Sequence, residues 1–400
     1  MTAPSAPPAP SPAPGSVRHS SRIRLSRAAV KNNFSFVRQK VGPHPVISSV
    51  VKANAYGHGI ATYVPLAERA GVRHFAVASS FEAQEVLAVC RPDSRIMIMG
   101  ILYDADLPWA IRNGIEFFVF DLPRLRKAAA VAREVGKAAV VHLEVETGGN
   151  RTGLPEKDWG SAFATLKNHA DALRFEGLCT HFAGIETLAN QFRIRKQVAA
   201  FEAASSRALK AKVQPRLRHA ACSAAALGFP ETTYDLVRIG TTQYGMWPSP
   251  DIYNLHLTQV GKNHDSPLQR VLTWETDVMH LKRVPKGEFV GYGTAYQAPG
   301  DMTVAVLPIG YSNGYPRALS NRGQVLVRGR KASIVGLVNM NVFMVDVTNV
   351  PGVEIGDPVV LVGRQKNAVI GLRSFSDFSH SLNTEFMSRL PAAIPRTVGK

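Results

Sequence analysis

The sequence predicts an α/β fold, a (β/α)8 TIM barrel followed by a mostly β C-terminal domain. Three observations carry that expectation. Between residues 45 and 245, short apolar runs alternate with longer amphipathic segments, the pattern of buried parallel strands and covering helices. No glycine-rich phosphate loop follows the first run, as a doubly wound sheet would usually require. After about Asp265 the runs alternate or become β-branched, with turns such as Pro285-Lys286-Gly287 and Pro351-Gly352 between them.

Residues 1–17 form an Ala-, Pro- and Ser-rich tail that is expected to be disordered, with no basic residue before Arg18 and no signal-peptide core. The barrel is expected over residues 18–260, with strands at 45–51, 74–78, 95–99, 116–120, 139–145, 175–181, 217–221 and 236–240. Between them the pattern predicts helices, among them 122–135, which sets Arg124 and Lys127 opposite Leu122, Leu125, Ala129 and Ala132, and a long one over 190–209. The β-rich domain is expected over 261–400, with strands at 271–282, 302–309, 323–327, 332–338 and 358–362.

Four hundred residues, 45% of them apolar, suit two domains. The net charge of +17 invites a nucleic-acid reading. The basic residues are dispersed, however, and no helix-turn-helix, zinc-finger or RNP-type signature occurs, so no nucleic-acid partner is expected. The local cluster of Arg322, Arg328, Arg330 and Lys331 reads as a solvated strand face, while the dispersed positive field favours anionic small molecules. Cys90, Cys179 and Cys222 are far apart and lack metal or redox spacing, which predicts packing thiols, no metal site and a cytoplasmic protein. No run reaches membrane-spanning length.

The strongest chemical signal is Val50-Val51-Lys52-Ala53-Asn54-Ala55-Tyr56-Gly57-His58-Gly59. An apolar run that ends on a lysine delivers one amine to the C-terminal mouth of a barrel, where a barrel's chemistry collects. A lysine held there can bind an aldehyde cofactor covalently. A lone lysine after a strand is ordinarily a solvated surface group. The string as a whole resembles the pyridoxal 5′-phosphate (PLP) attachment motif of the alanine racemase family, and the resemblance runs from about residue 22 to residue 396. It implies that Lys52 binds PLP and also moves a proton at the substrate Cα. It further implies that residues 22–25 supply the β domain with its first strand, Ser26 capping the helix that follows.

A barrel's phosphate site tends to form after strands seven and eight. Those positions hold Ala221-Cys222-Ser223 and Arg238-Ile239-Gly240-Thr241, where a hydroxyl and backbone amides beside small residues suit a phosphate. Ser223 alone is equally a helix N-cap. The resemblance assigns Ser223, Gly240 and Thr241 to the PLP phosphate, with Tyr56 adding a hydrogen bond, and puts Arg238 opposite the pyridine nitrogen. A guanidinium cannot accept a proton there, so the ring stays neutral, a weaker electron sink suited to simple proton exchange. Arg151, closing Glu144-Val145-Glu146-Thr147-Gly148-Gly149-Asn150-Arg151, matches the arginine that holds the cofactor's phenolic oxygen and the substrate carboxylate. Where the family often has a carbamylated lysine, this chain has Glu144, a carboxylate able to pair with Arg151 directly.

Racemisation removes a proton from one face of Cα and returns one to the other, so two bases must flank it. Lys52 is one. The loop Val290-Gly291-Tyr292-Gly293-Thr294 resembles the family segment that brings a catalytic tyrosine, here Tyr292, to the partner's barrel, and His181 matches the histidine that bonds it. Singly, Tyr292 reads as a turn tyrosine and His181 as a satisfied buried histidine; their order along the chain supports the catalytic reading. The resemblance therefore implies a homodimer, with Tyr292, Tyr311 and Met340 completing the other subunit's site, and Asn341 beside the substrate. It implies cell-wall D-alanine supply as the setting.

Three segments depart from the family pattern. Asn339-Met340-Asn341 stands where Cys-Met-Asp is usual, Ala392 replaces a tyrosine that touches the PLP phosphate, and Leu337 replaces an entrance arginine. One lost phosphate hydrogen bond costs roughly 1.5–3 kcal/mol, tolerable beside a covalent link. The wider corridor predicts specificity reaching beyond alanine to serine, lysine or arginine. Two alternatives stand beside the racemase reading. One is a PLP lyase on the same scaffold, expected to carry an acidic residue at the ring nitrogen (decarboxylase) or a metal cluster (D-amino acid aldolase). The other is a non-catalytic PLP carrier, against which Tyr292 and the β domain argue.

Overall fold

The computed structural model describes residues 17–261, 265–372, 374–375 and 382–399, so the expected tail falls outside it except for Val17. The chain divides into two compact units. One comprises Arg27–Ala55 and Ile60–Gln269; the other takes the N-terminal strand, Tyr56–Gly59 and the chain from Arg270 onward.

Strand β1 (Ser21–Ser26) is followed by the eight strands of the first unit: β2 (Val46–Val50), β3 (His74–Ser79), β4 (Arg95–Ile101), β5 (Glu116–Val119), β6 (Ala139–Glu144), β7 (Leu173–Cys179), β8 (Leu217–His219) and β9 (Leu236–Ile239). They are parallel, in the order β8-β7-β6-β5-β4-β3-β2-β9. The circle is drawn together between β8 and β9 by Asp235 N to Arg218 O, 2.9 Å, Arg238 N to Ala221 O, 2.9 Å, and an isolated parallel bridge from Cys222 to Arg238. All eight expected apolar runs are strands of this barrel. Every residue of β5 and β6 is buried, because helices cover one face and the barrel interior the other.

The covering helices follow local rules. Leu122–Val135 starts at Asp121, whose carboxylate accepts from Arg124 N at 2.7 Å, and stops at Gly136, left-handed at φ 71°. It buries Leu125, Ala128, Ala129, Val131 and Ala132. The long helix is Gln191–Lys210. Burial pushes the Cys179 and Cys222 thiols up, as befits packing groups. The barrel interior is partly polar: Glu116, His74, His142, His219 and Arg238 are all buried inside it.

The second unit holds β1, then β10 (Leu272–Asp277), β11 (His280–Val284), β12 (Met302–Leu307), β13 (Gln324–Val327), β14 (Arg330–Val335), β15 (Phe343–Asp346), β16 (Pro358–Gln365), β17 (Ala368–Ile370) and β18 (Arg396–Gly399). The sheet order is β11-β12-β15-β14-β13-β16-β10-β1-β18, with β17 on β16. β1 runs antiparallel to β10 and parallel to β18. Arg22 fastens it through a two-pronged contact with Asp277 at 2.9 and 3.0 Å. Trp274, Tyr315, Phe343, Phe375 and Phe386 form an aromatic core, the Phe375 and Phe386 centroids 4.4 Å apart.

Two expectations change in detail here. The run 271–282 is two strands, because the chain exchanges partners: Val278 N bonds Asp357 O and Met279 N bonds Val306 O. The run 332–338 stops at Val335 because Gly336 turns left-handed, φ 79°, where a Cβ would lie 2.6 Å from Val290 O. Among the described residues no helix is long and apolar enough to cross a membrane.

Candidate active site

Lys52 follows β2 after one residue, Val51, and the strand end that presents it is heavily braced. Gln243, fully buried, donates from Nε2 to Val50 O (2.8 Å) and Ile239 O (2.6 Å). Its Oε1 accepts from Ser49 Oγ at 2.5 Å and Tyr63 Oη at 3.2 Å. Tyr244 Oη adds a donor to Val50 O at 2.9 Å. Gln243→Leu would leave these buried groups unpaired and should cost about 2–4 kcal/mol of stability, measurable as a lower urea midpoint. An unchanged midpoint would show that the brace carries no stability.

Beyond Lys52 the backbone turns left-handed. Ala53, Asn54, Ala55 and Tyr56 all have φ between 51° and 53°. Side-chain sterics make this conformation costly, about 1–2 kcal/mol per residue. Local bonds offset the cost: Glu82 Oε1 accepts from Ala53 N at 2.6 Å, and Asn54 Oδ1 accepts from Ile60 N at 2.9 Å. The next residue, Gly57, must be glycine, since a Cβ there would lie 1.9 Å from Met387 O. Its carbonyl accepts from Arg396 Nη2 at 3.0 Å, and Arg396 Nη1 also donates to Ala392 O at 2.8 Å. Water reaches the Lys52 side chain from the rim, yet crowding lowers its pKa by desolvation, assisted by the Arg151 charge and opposed by Glu82.

The other barrel residues singled out in the sequence stand at the same end of the strands. Arg238, on β9, is buried, and its terminal nitrogens are fully engaged. Nη1 donates to His219 Nδ1 (2.5 Å) and His219 O (3.2 Å); Nη2 donates to Thr180 O (2.7 Å) and Ala220 O (3.0 Å). Its Nε–H has no acceptor among the described residues, which leaves one directed donor for a ligand. The guanidinium lies 6.0 Å from the Phe118 ring centroid.

His181 follows β7. Burial first, then the charges of Arg238, Arg151 and Lys52, lower its pKa to about 3. That places the four groups in one electrostatic neighbourhood. Glu144, Arg151, Thr180 and His181 also line one cavity of about 190 Å³. Glu144 differs from expectation: among the described residues no salt bridge joins it to Arg151. Burial raises its pKa, opposed by a hydrogen bond from Thr152 and by the charges of Arg238 and Arg151. Glu146, which the sequence left without a role, ties down the Arg151 loop by accepting from Gly148 N, Gly149 N (2.7 Å) and Asn150 N (2.9 Å). Gln197 likewise holds the turn after His181, bonding Ala183 N at 2.8 Å and Ala183 O at 3.0 Å.

After β8 and β9, Ser223 Oγ accepts from Gly240 N at 2.9 Å, joining the two turns. Thr241 Oγ1 is buried with no partner among the described residues, a hydroxyl waiting for an acceptor.

In the second unit, Tyr292 stands 72% exposed in a loop pinned by Val290 N to Tyr296 O, 2.9 Å. Tyr311, Met340 and Asn341 form a separate cluster: Tyr311 N bonds Asn339 O at 3.0 Å, Ser312 Oγ bonds Met340 O at 2.7 Å, and Asn341 Nδ2 bonds Ser312 Oγ at 2.8 Å. Tyr311 and Met340 are exposed, at 42% and 56%. Three large side chains left facing solvent on one unit suit contact with another molecule.

The low pKa of His181 has a measurable consequence. His142 and His219 are lowered as well, each chiefly by burial. Below pH 6.5 the unfolded chain takes up protons on these histidines that the folded chain refuses, so stability is lost as pH falls through that value. Urea unfolding at pH 7 and pH 5 should show a lower midpoint at pH 5. Equal midpoints would mean that the histidines titrate alike in both states.

An α/β barrel with lysine, arginines and histidine at its C-terminal rim, joined to a β domain, defines a two-domain barrel enzyme. Residues 25–248 match the model of the alanine racemase N-terminal domain, and residues 271–398 that of the C-terminal domain. The chain belongs to the alanine racemase family. The alanine racemase of Leptospira interrogans is 33% identical over 383 residues, covering 95% of this chain and 96% of that one. A crystal structure of alanine racemase from D-cycloserine-producing Streptomyces lavendulae is similar with TM-score 0.86 at 30% identity, over 96% and 98% of the two chains. One from Bartonella henselae, with covalently bound pyridoxal phosphate, gives TM-score 0.80 at 26% identity, over 96% and 100%.

Proposed function

We propose that the protein is a cytoplasmic, PLP-dependent racemase that interconverts L- and D-alanine. In this reading it works as a homodimer, each barrel site being completed by the β domain of the partner. The observation that carries the reading is Arg238, a buried guanidinium whose four terminal N–H groups are engaged and whose Nε–H is open. Such a group donates but never accepts a proton, which suits a neutral pyridine nitrogen and argues against the decarboxylase alternative.

The residues fit the cofactor. Lys52 would hold it covalently, the lowered pKa favouring the free amine. Thr241 Oγ1, otherwise unpartnered, would meet the phosphate together with Tyr56 and with Ser223, whose Oγ accepts from the Gly240 amide and keeps its own proton to donate. Bound PLP supplies an electron sink for the pair of electrons left when the Cα proton departs. Lys52 removes or returns that proton on one face, and the partner subunit's Tyr292 does so on the other. Arg151 holds the substrate carboxylate, in a loop kept rigid by Glu146. His181, neutral at pH 7, is an acceptor for the tyrosine hydroxyl. The partner subunit's Tyr311, Met340 and Asn341 bound the substrate.

Titrating the colourless apoprotein with PLP should produce the visible band of a lysine-bound cofactor at one equivalent per chain. Absence of the band at saturating PLP would reject the reading. Substrate range follows from Leu337 and Ala392: serine, lysine and arginine should also be racemised, at a lower kcat/KM than alanine. A panel in which alanine alone reacts would remove that part and leave the rest.

A further inference from the structure

The barrel axis carries a continuous hydrogen-bonded chain that the proposed chemistry does not use directly. From Arg238 Nη1 it passes to His219 Nδ1 (2.5 Å), from His219 Nε2 to His142 Nδ1 (2.8 Å), and from His142 Nε2 to Glu116 Oε2 (2.8 Å). All four side chains are buried. Glu116 also meets His74 Nε2 at 3.2 Å and Arg95 Nε. His74 Nδ1 ends on Ser48 Oγ at 2.9 Å. Arg95 continues to Glu176, which Arg216 (2.5 Å) and Arg174 (3.2 Å) also hold.

The two ends give the chain a direction. An arginine has only donors and an ionised carboxylate only acceptors. His219 Nδ1 must then accept, so its proton sits on Nε2. That proton goes to His142 Nδ1, so the His142 proton also sits on Nε2 and goes to Glu116. A second proton on either ring would set two donors face to face. Burial disfavours Glu116 as a carboxylate, but the hydrogen bonds of His142 and His74 outweigh it and hold the carboxyl well below the usual range. The site is built to accommodate the pair: a Cβ on Gly177 would fall 2.1 Å from His142 Nδ1 and 2.8 Å from His219 Nε2.

We propose that Glu116 is a positioning residue for Arg238, acting through His142 and His219. The carboxylate fixes both rings as Nε2–H tautomers, His219 thereby presents an acceptor to Nη1, and the guanidinium is held with its Nε–H free for the cofactor ring. In Glu116→Gln, an amide N–H turned toward His142 reverses every step. His219 then offers Nδ1–H to Arg238, two donors oppose each other, and the guanidinium loses that anchor. That Arg238 faces the pyridine nitrogen rests on the proposed function; the tautomers do not.

Nitrogen NMR of the full-length protein labelled on histidine, with and without PLP, tests the proposal. In the wild type, His142 and His219 should both appear as neutral Nε2–H rings. Glu116→Gln should lose the Nε2–H signature of His219, and Glu116→Asp, which keeps the carboxylate, should retain it. With PLP labelled at its ring nitrogen, that resonance should shift in the glutamine variant and not in the aspartate variant. An Nδ1–H or doubly protonated ring in the wild type would overturn the proposal, even if the glutamine variant fails to fold. Unchanged histidine tautomers in a folded Glu116→Gln protein would overturn it too. Failure to bind PLP would instead reject the proposed function and leave the tautomer result standing.

Discussion

Lys52→Ala is expected to lose racemisation by on the order of 10⁴-fold or more, because in the proposed mechanism one residue holds the cofactor and serves as one of the two bases. The visible band of the lysine-bound cofactor should vanish, while the proposed phosphate contacts of Thr241 and Ser223 should still retain some PLP. The fold should be untouched. Water reaches Lys52, and the brace on its strand runs through Gln243, Tyr244 and Val50, so the unfolding free energy from urea titration should stay within about 0.5 kcal/mol of wild type. A supplied small amine such as methylamine should restore part of the Cα-proton transfer. Full activity in Lys52→Ala would mean that the chemistry lies elsewhere.

Tyr292→Phe should lower racemisation by about 10²–10⁴-fold, the contribution of one positioned acid–base group. Tyr292 is 72% exposed, so the loss of a hydroxyl there should leave stability unchanged. The decisive form of the experiment uses two inactive proteins together. If sites are shared across a two-fold dimer, a mixed dimer of Lys52→Ala and Tyr292→Phe chains has one site damaged twice and one intact. Random reassembly makes about half the dimers mixed, so activity should recover to about a quarter of wild type. No recovery after verified subunit exchange would place Tyr292 in its own subunit's site or outside the chemistry.

The barrel was readable because its strands are buried on both faces. Runs such as 116–120 and 139–145 stand out as mostly apolar stretches against amphipathic helices. Lys52, Arg151, His181, Ser223 and Arg238 could be singled out as candidates because a barrel gathers its chemistry at strand ends and because the motifs resemble one family. The supporting residues were not readable. His142 interrupts an apolar strand, and its partners Glu116 and His219 lie 26 and 77 positions away. Gln243 braces Val50 from 193 positions downstream, a pairing that no local pattern encodes. Glu144 was expected to meet Arg151, but among the described residues no salt bridge joins them and Glu144 Oε2 is buried without a partner. β15 is only four residues long, too short for alternation to mark it, and the break between β10 and β11 depends on which strand lies alongside.

In the proposed mechanism Lys52 and a tyrosine on the opposite face exchange the Cα proton of alanine. That exchange is tested most directly by incubating the PLP-loaded enzyme with L-alanine in deuterated water and following both enantiomers by chiral separation and mass. The expected product is D-alanine carrying deuterium at Cα, formed until the two enantiomers are equal. An enzyme that binds PLP on Lys52 yet leaves the Cα proton in place, or releases carbon dioxide without making D-alanine, would contradict the mechanism.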